Sequence, residues 1–113
     1  MITMLKNNIL NEIKILCNQN RDFEICGFIV EDGDNYKLIQ VDNKHPNKER
    51  NFLISPRDYL EVKNKFKIIY LFHSHPDGEE FSEMDFQYQK YHNLNMLMYN
   101  VKNDFFKEMM CKY

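Results

Sequence analysis

Apolar residues recur at Ile2, Leu5, Ile9, Ile13 and Leu16. That three-to-four-residue spacing predicts an amphipathic helix over 2–18, stopped by Asn18-Gln19-Asn20. The pattern then changes period. Ile25 to Val30 is a short apolar run that reads as a buried strand, and Gly27 inside it predicts a close approach of neighbouring backbone. Asp32-Gly33-Asp34-Asn35 is a hairpin-type turn, and Tyr36 to Val41 is the returning strand. Residues 42–51 are polar, carry Pro46, and read as a loop; Asn51 to Ile54 is expected to form a short strand. Ser55 with Pro56 and Asp58 has the form of a helix start, predicting a helix to about Lys65.

Ile68 to Phe72 is apolar on both faces, as expected of a central strand covered on each side. Ser82 to Asp85 repeats the capping pattern, with Phe81 and Phe86 at the hydrophobic-staple positions, and predicts a helix to about His92. Asn95 to Val101 reads as a further strand, and Asp104 to Tyr113 fits either a strand or a short helix. Helices alternating with strands around a doubly covered strand predict an α/β fold, a three-layer α/β/α or α+β sandwich.

Composition narrows the class. A chain of 113 residues has room for one domain over 1–113 and one core. Lys and Arg number 15 against 17 Asp and Glu, for a net charge of −2, so no electrostatic case exists for nucleic acid. Cys17, Cys26 and Cys111 have no framework spacing, which predicts reduced thiols. No apolar run approaches the ~18 residues a membrane span needs. Met1 to Cys17 is interrupted by Lys6, Glu12 and Lys14, unlike a secretory signal. The expectation is therefore a cytoplasmic protein with no membrane partner.

The candidate chemistry lies at the end of the apolar strand. In extended chain His73 and His75 point the same way, and Pro76, lacking an N–H, ends the strand just beyond them. The carboxyl end of a strand is where α/β sheets tend to place their sites. The following loop can return Asp85 as a third ligand. Three N/O side chains leave one position open, which is how catalytic zinc is held. Each part has a plainer reading: His-x-His also suits a polar strand end, and Ser-x-x-Asp is a capping box that recurs at Ser55 to Asp58. Glu24, just before the first strand, is either a solvated strand end or a base that is not a ligand, such as a hydrolytic zinc site requires.

Taken together, Glu24-Ile25-Cys26-Gly27-Phe28-Ile29-Val30, His73-Ser74-His75-Pro76 and Ser82-Glu83-Met84-Asp85 resemble the JAMM (MPN-plus) zinc metalloproteases. The resemblance runs from Glu24 to about Val101. The loop between Pro76 and Ser82 has five residues, about one fewer than the family pattern. The resemblance implies a mixed-sheet, cytidine-deaminase-like fold. It also implies one catalytic zinc on His73, His75 and Asp85 with water as fourth ligand, Glu24 as general acid/base, and Ser82 as oxyanion donor. Ser74 points away from its neighbours and reads as strand support, and Cys26 as packing. The implied reaction is hydrolysis of a peptide or isopeptide amide, with a protein or peptide partner, ubiquitin-like tails among the candidates. The chain is too short for the insertions that grip ubiquitin and resembles the compact prokaryotic or phage members.

Other metal chemistries fit less well. His73-Ser-His75-Pro-Asp77-Gly78 begins like a metallo-β-lactamase signature but lacks its final His. A nucleobase deaminase would need a Cys-x-x-Cys pair, and a barrel amidohydrolase a chain of roughly 250 residues. Two His and a carboxylate also suit non-haem iron. His45 and His92 read as surface or loop residues. A second functional class stays open: a non-catalytic structural or assembly module, for example of a phage tail, on the same fold.

Overall fold

A computed structural model of the chain describes residues 7–111. The order of elements is α1 (Asn7–Asn18), β1 (Cys26–Asp32), β2 (Asn35–Val41), α2 (Pro56–Lys65), β3 (Lys67–His75), α3 (Glu83–His92), β4 (Met96–Asn100) and β5 (Phe105–Met109). The start of the helix expected over 2–18 lies outside the described residues. The ambiguous C-terminal segment is a strand, β5, fixed by antiparallel pairing with β4.

The five strands form one mixed sheet in the order β2-β1-β3-β4-β5, with β3 at its centre. β1 and β2 make a hairpin in which Asp32 pairs with Asn35 around Gly33-Asp34. β1 also pairs antiparallel with β3, while β3 and β4 run parallel. Gly27 is needed for the first of these pairings: a Cβ there would lie 2.2 Å from the backbone oxygen of Ile39 on β2.

Strand alternation sends side chains to two faces, and each face has its own helices. Ile9, Ile13 and Cys17 of α1 pack with Ile29, Tyr70, Phe72, Leu97 and Tyr99. Fully burying each such isoleucine contributes roughly 1.5–3 kcal/mol. On the opposite face Phe28, Val30, Leu71 and Met96 pack with Val62 of α2, and Tyr88 of α3 closes over them. The result is an α/β/α sandwich. Both later helices start as their sequences dictate, Ser55 Oγ accepting from the Asp58 N–H and Ser82 Oγ from the Asp85 N–H.

One expected element is missing. Residues 51–54 form no strand. The Lys44 N–H donates to the Leu53 carbonyl at 2.8 Å, and the Asn43 side chain stands in for further strand pairing, bonding the Asn51 carbonyl at 2.8 Å and the Leu53 N–H at 3.0 Å.

Candidate metal centre

Register places the site. Cys26 pairs with His73, so the antiparallel ladder continues through Ile25 and Ser74 and sets Glu24 opposite His75. Ser74 fastens this end of the sheet twice: its hydroxyl accepts from the Ile25 N–H at 2.8 Å and its own N–H donates to the Ile25 carbonyl at 2.9 Å. With Ser74 facing away, His73, His75 and Glu24 share the face covered by α2 and α3. All three are buried, Glu24 at 5% exposure and His73 at 0%. Their ligand atoms lie within 4.8 Å of one another.

The first turn of α3 supplies the fourth side chain. Asp85 Oδ1 lies 3.3 Å from His73 Nε2, and Oδ2 lies 3.2 Å from His75 Nε2. The two Nε2 atoms are 3.0 Å apart. Asp85 is also the third residue of the capping box, its Oδ2 accepting from the Ser82 N–H at 2.9 Å. The five-residue loop therefore still delivers Asp85 to both imidazoles. Asn100 braces that loop by donating to the Gly78 carbonyl at 3.1 Å.

The two imidazoles are held differently. His75 Nδ1 lies 2.7 Å from the Glu79 carbonyl, which can only accept, so Nδ1 carries the proton and Nε2 faces the cluster. This is the outer partner that metal-binding histidines usually have. His73 Nδ1 is buried with no hydrogen-bond partner. Its ring is set instead by packing against Phe52, with centroids 4.6 Å apart and planes at 23°.

These atoms fit a bound cation. Four-coordinate zinc with bonds of about 2.0–2.1 Å holds its ligand atoms roughly 3.3 Å apart. The two Nε2 atoms here are 3.0 Å apart, and each has a different Asp85 oxygen at 3.3 or 3.2 Å. Two imidazole nitrogens at such a distance repel unless a proton or a cation lies between them.

The electrostatics agree. Burial disfavours charge on His75, but its hydrogen bonds to Asp85 and the Glu79 carbonyl outweigh this and raise its pKa to about 9. Burial pushes His73 down, against the pull of Asp85. Asp85 is held well below the usual carboxylate range: burial opposes its ionisation, and hydrogen bonds from both imidazoles overcome that. The cluster thus draws positive charge into a buried place. Glu24 goes the other way. Burial chiefly, then the charges of Asp85, Glu79 and Asp77, raise it to about 8 against the attraction of His75.

The family model for prokaryotic homologues of the JAB domain matches residues 9–112. The chain belongs to this family. No curated protein matches it. The JAB-family fold is the mixed five-stranded sheet with three helices described above, and its cluster of Glu24, His73 and His75 could hold a metal ion.

The remaining histidines are not in the cluster of this JAB-family site, although His45 lines the cleft beside Ser82 and Asp85. His45 Nδ1 accepts from the Asn47 N–H, and His92 packs among Tyr59, Tyr88 and Tyr91. Cys26 is buried packing, as expected. Among the described residues no helix is long and apolar enough to cross a membrane. Sequence reasoning missed three contributors: Phe52, the Glu79 carbonyl and Asn43. Only the aromatic after a polar loop left any trace in the sequence.

Proposed function

We propose that the chain is a zinc-dependent metallopeptidase or isopeptidase that hydrolyses an amide bond in a protein or peptide, with His73, His75 and Asp85 as the zinc ligands. The observation that supports it most is the placement of Glu24, a buried carboxyl group opposite His75 whose pKa lies near neutrality. Zinc, when bound, would supply Lewis acidity, polarising the scissile carbonyl and making water acidic near neutral pH.

The rest falls to side chains. Glu24 takes a proton from the attacking water and returns it to the departing amine, a role that asks for a pKa near the working pH. Asp85 sets one carboxylate oxygen against each imidazole Nε2, and the Glu79 carbonyl fixes the tautomer of His75. Ser82 Oγ accepts from the Asp85 N–H, which leaves its hydroxyl proton to donate to the developing oxyanion. One such donor can contribute about 3 kcal/mol to the barrier. The substrate we infer is the extended tail of a protein, with ubiquitin-like tails one class that fits.

A second reading, a non-catalytic assembly module, draws support from the narrowness of the site. The clefts on either side, one lined by Glu24, Arg50 and His75 and the other by Arg50, Ser82 and Asp85, have volumes of about 10 Å³ each. That is scarcely one water. The two readings separate on metal and turnover. Wild type purified with zinc should carry one ion per chain and lose it on Asp85→Ala. Glu24→Gln should keep the ion and lower turnover of a quenched peptide panel by about 10²–10⁴-fold. Full turnover in Glu24→Gln, or no zinc in the wild type, would leave the assembly reading in place.

A further inference from the structure

The main chain next to Glu24 is anchored on one side by strand pairing through Ile25 and Ser74. The backbone of Glu24 itself is held from the other side, by the polar loop over residues 43–53. The Glu24 N–H donates to the Lys48 carbonyl at 2.8 Å. The Glu24 carbonyl accepts from Asn43 Nδ2 at 3.0 Å. The same Nδ2 donates to the Asn51 carbonyl at 2.8 Å, and Asn43 Oδ1 accepts from the N–H groups of His45 and Leu53, each at 3.0 Å. Two donors and two acceptor positions are all that a side-chain amide has, and here all four are used. The partners also fix which way the amide faces, since reversing it would set N–H against N–H and oxygen against oxygen.

We propose that Asn43 is a positioning residue for Glu24: its side chain ties the main chain of Glu24 to both ends of the loop that roofs the site, and so holds the carboxyl group at its distance from His73 and His75. The proposal rests on Glu24 having the acid/base role given above. It assigns Asn43 no contact with substrate or metal. Two of these bonds, to the Asn51 carbonyl and the Leu53 N–H, close the loop that carries Phe52 onto His73. Positioning matters at this scale because a displacement of about 1 Å at a reacting group can lower a rate roughly 10²-fold.

The test compares the full chain as wild type, Asn43→Asp and Asn43→Ala, isotopically labelled and supplied with zinc. Asn43→Asp is isosteric and keeps both acceptor bonds, while its second oxygen turns both donor bonds into repulsion with the Glu24 and Asn51 carbonyls. It therefore retains the turn at His45 and Leu53 even where Asn43→Ala fails to fold. Three quantities are read: zinc content, hydrogen exchange at the Glu24 amide, and the side-chain carboxyl ¹³C resonance of Glu24. Turnover of the quenched peptide panel is measured alongside.

The expected result for Asn43→Asp is unchanged zinc content, exchange at the Glu24 amide faster by about tenfold or more, and a moved Glu24 carboxyl resonance. The amides of Cys26 and His73 should keep their protection, and kcat should fall by roughly 10²-fold with KM little changed. A Glu24 amide and carboxyl resonance identical to wild type would overturn the proposal. So would loss of zinc with Glu24 undisturbed, which would make Asn43 a support of the ligands. If the wild type binds no zinc or cleaves nothing, the hydrolase reading falls, and the exchange and carboxyl readouts still decide what Asn43 does to Glu24.

Discussion

Glu24→Gln should make the metal-free protein more stable, and increasingly so as pH rises. Glu24 is 5% exposed, and its pKa rises from 4.5 to about 8, with burial the leading cause. A raised carboxyl pKa means that the folded chain keeps a proton that the unfolded chain has released. Between about pH 4.5 and pH 8 the folded state thus binds more protons, and wild-type stability falls by about 1.4 kcal/mol per pH unit from this group. By pH 7 the loss amounts to about 3 kcal/mol, a large share of the ~5–15 kcal/mol that holds a domain together. Glutamine has the same shape and no proton to lose, so it escapes this penalty.

The assay is urea unfolding of wild type and variant in chelator, from about pH 5 to about pH 8. The stability difference should start small, grow across the series, and level off above pH 8. Saturation with zinc should shrink it, because a neighbouring cation favours the ionised carboxylate. A difference that does not change with pH would refute the reasoning. A variant less stable than wild type throughout would show that Glu24 is ionised in the folded protein and held by a partner.

Three further outcomes follow from other parts of the molecule. Gly27→Ala would drive a Cβ to 2.2 Å from the Ile39 oxygen and 3.0 Å from Gln40 Cα, both backbone atoms that cannot swing aside. It should destabilise by about 3 kcal/mol or more, a fall of roughly 10 °C in a thermal melt, and a near-wild-type Tm would contradict the close approach. His75 must shed the proton that Asp85 and the Glu79 carbonyl hold on it up to about pH 9. Zinc affinity, measured by competition with a chelator of known pH response, should therefore rise about tenfold per pH unit below that value; a flat profile would mean His75 is neutral before the ion arrives. Burial pushes the Cys17 and Cys26 thiols up to about 12, so both should resist a thiol reagent at neutral pH until the chain is unfolded, as mass spectrometry of the labelled peptides would show.

Most of the architecture was legible because its signals are local. The spacing of Ile9, Ile13 and Leu16, the turn at Gly33, and the two serine caps each specify one element through nearby residues. Gly27 and Ser74 were legible for a different reason: strand alternation and close approach leave few roles for a glycine or a short hydroxyl at those positions. The misreading of residues 51–54 as a strand has a definite cause. Their backbone bonds to a side chain, Asn43, several residues upstream, and nothing in a short apolar run reveals that its partner is an amide. β5 could not be told from a helix because its identity comes from pairing with β4. At the site, the four chemical side chains were visible as residue types. The Glu79 carbonyl that orients His75 was not, since any residue at that position would present the same group.

The carboxylate of Asp85 answers to two masters. Its Oδ2 receives the N–H that begins α3 and at the same time faces His75 Nε2. With Asp85 as the ligand proposed above, the first turn of a helix and the site for an ion would share one oxygen, and their equilibria would be coupled. On that ligand set, whatever frays the turn would weaken ion binding, and by reciprocity the ion would resist the fraying with the same free energy. The lip of the cleft, where Met84 rides on this turn, is in this sense a lever on the centre beneath it. A contact made at the surface of α3 would then be felt at the ion without any side chain of the site being touched.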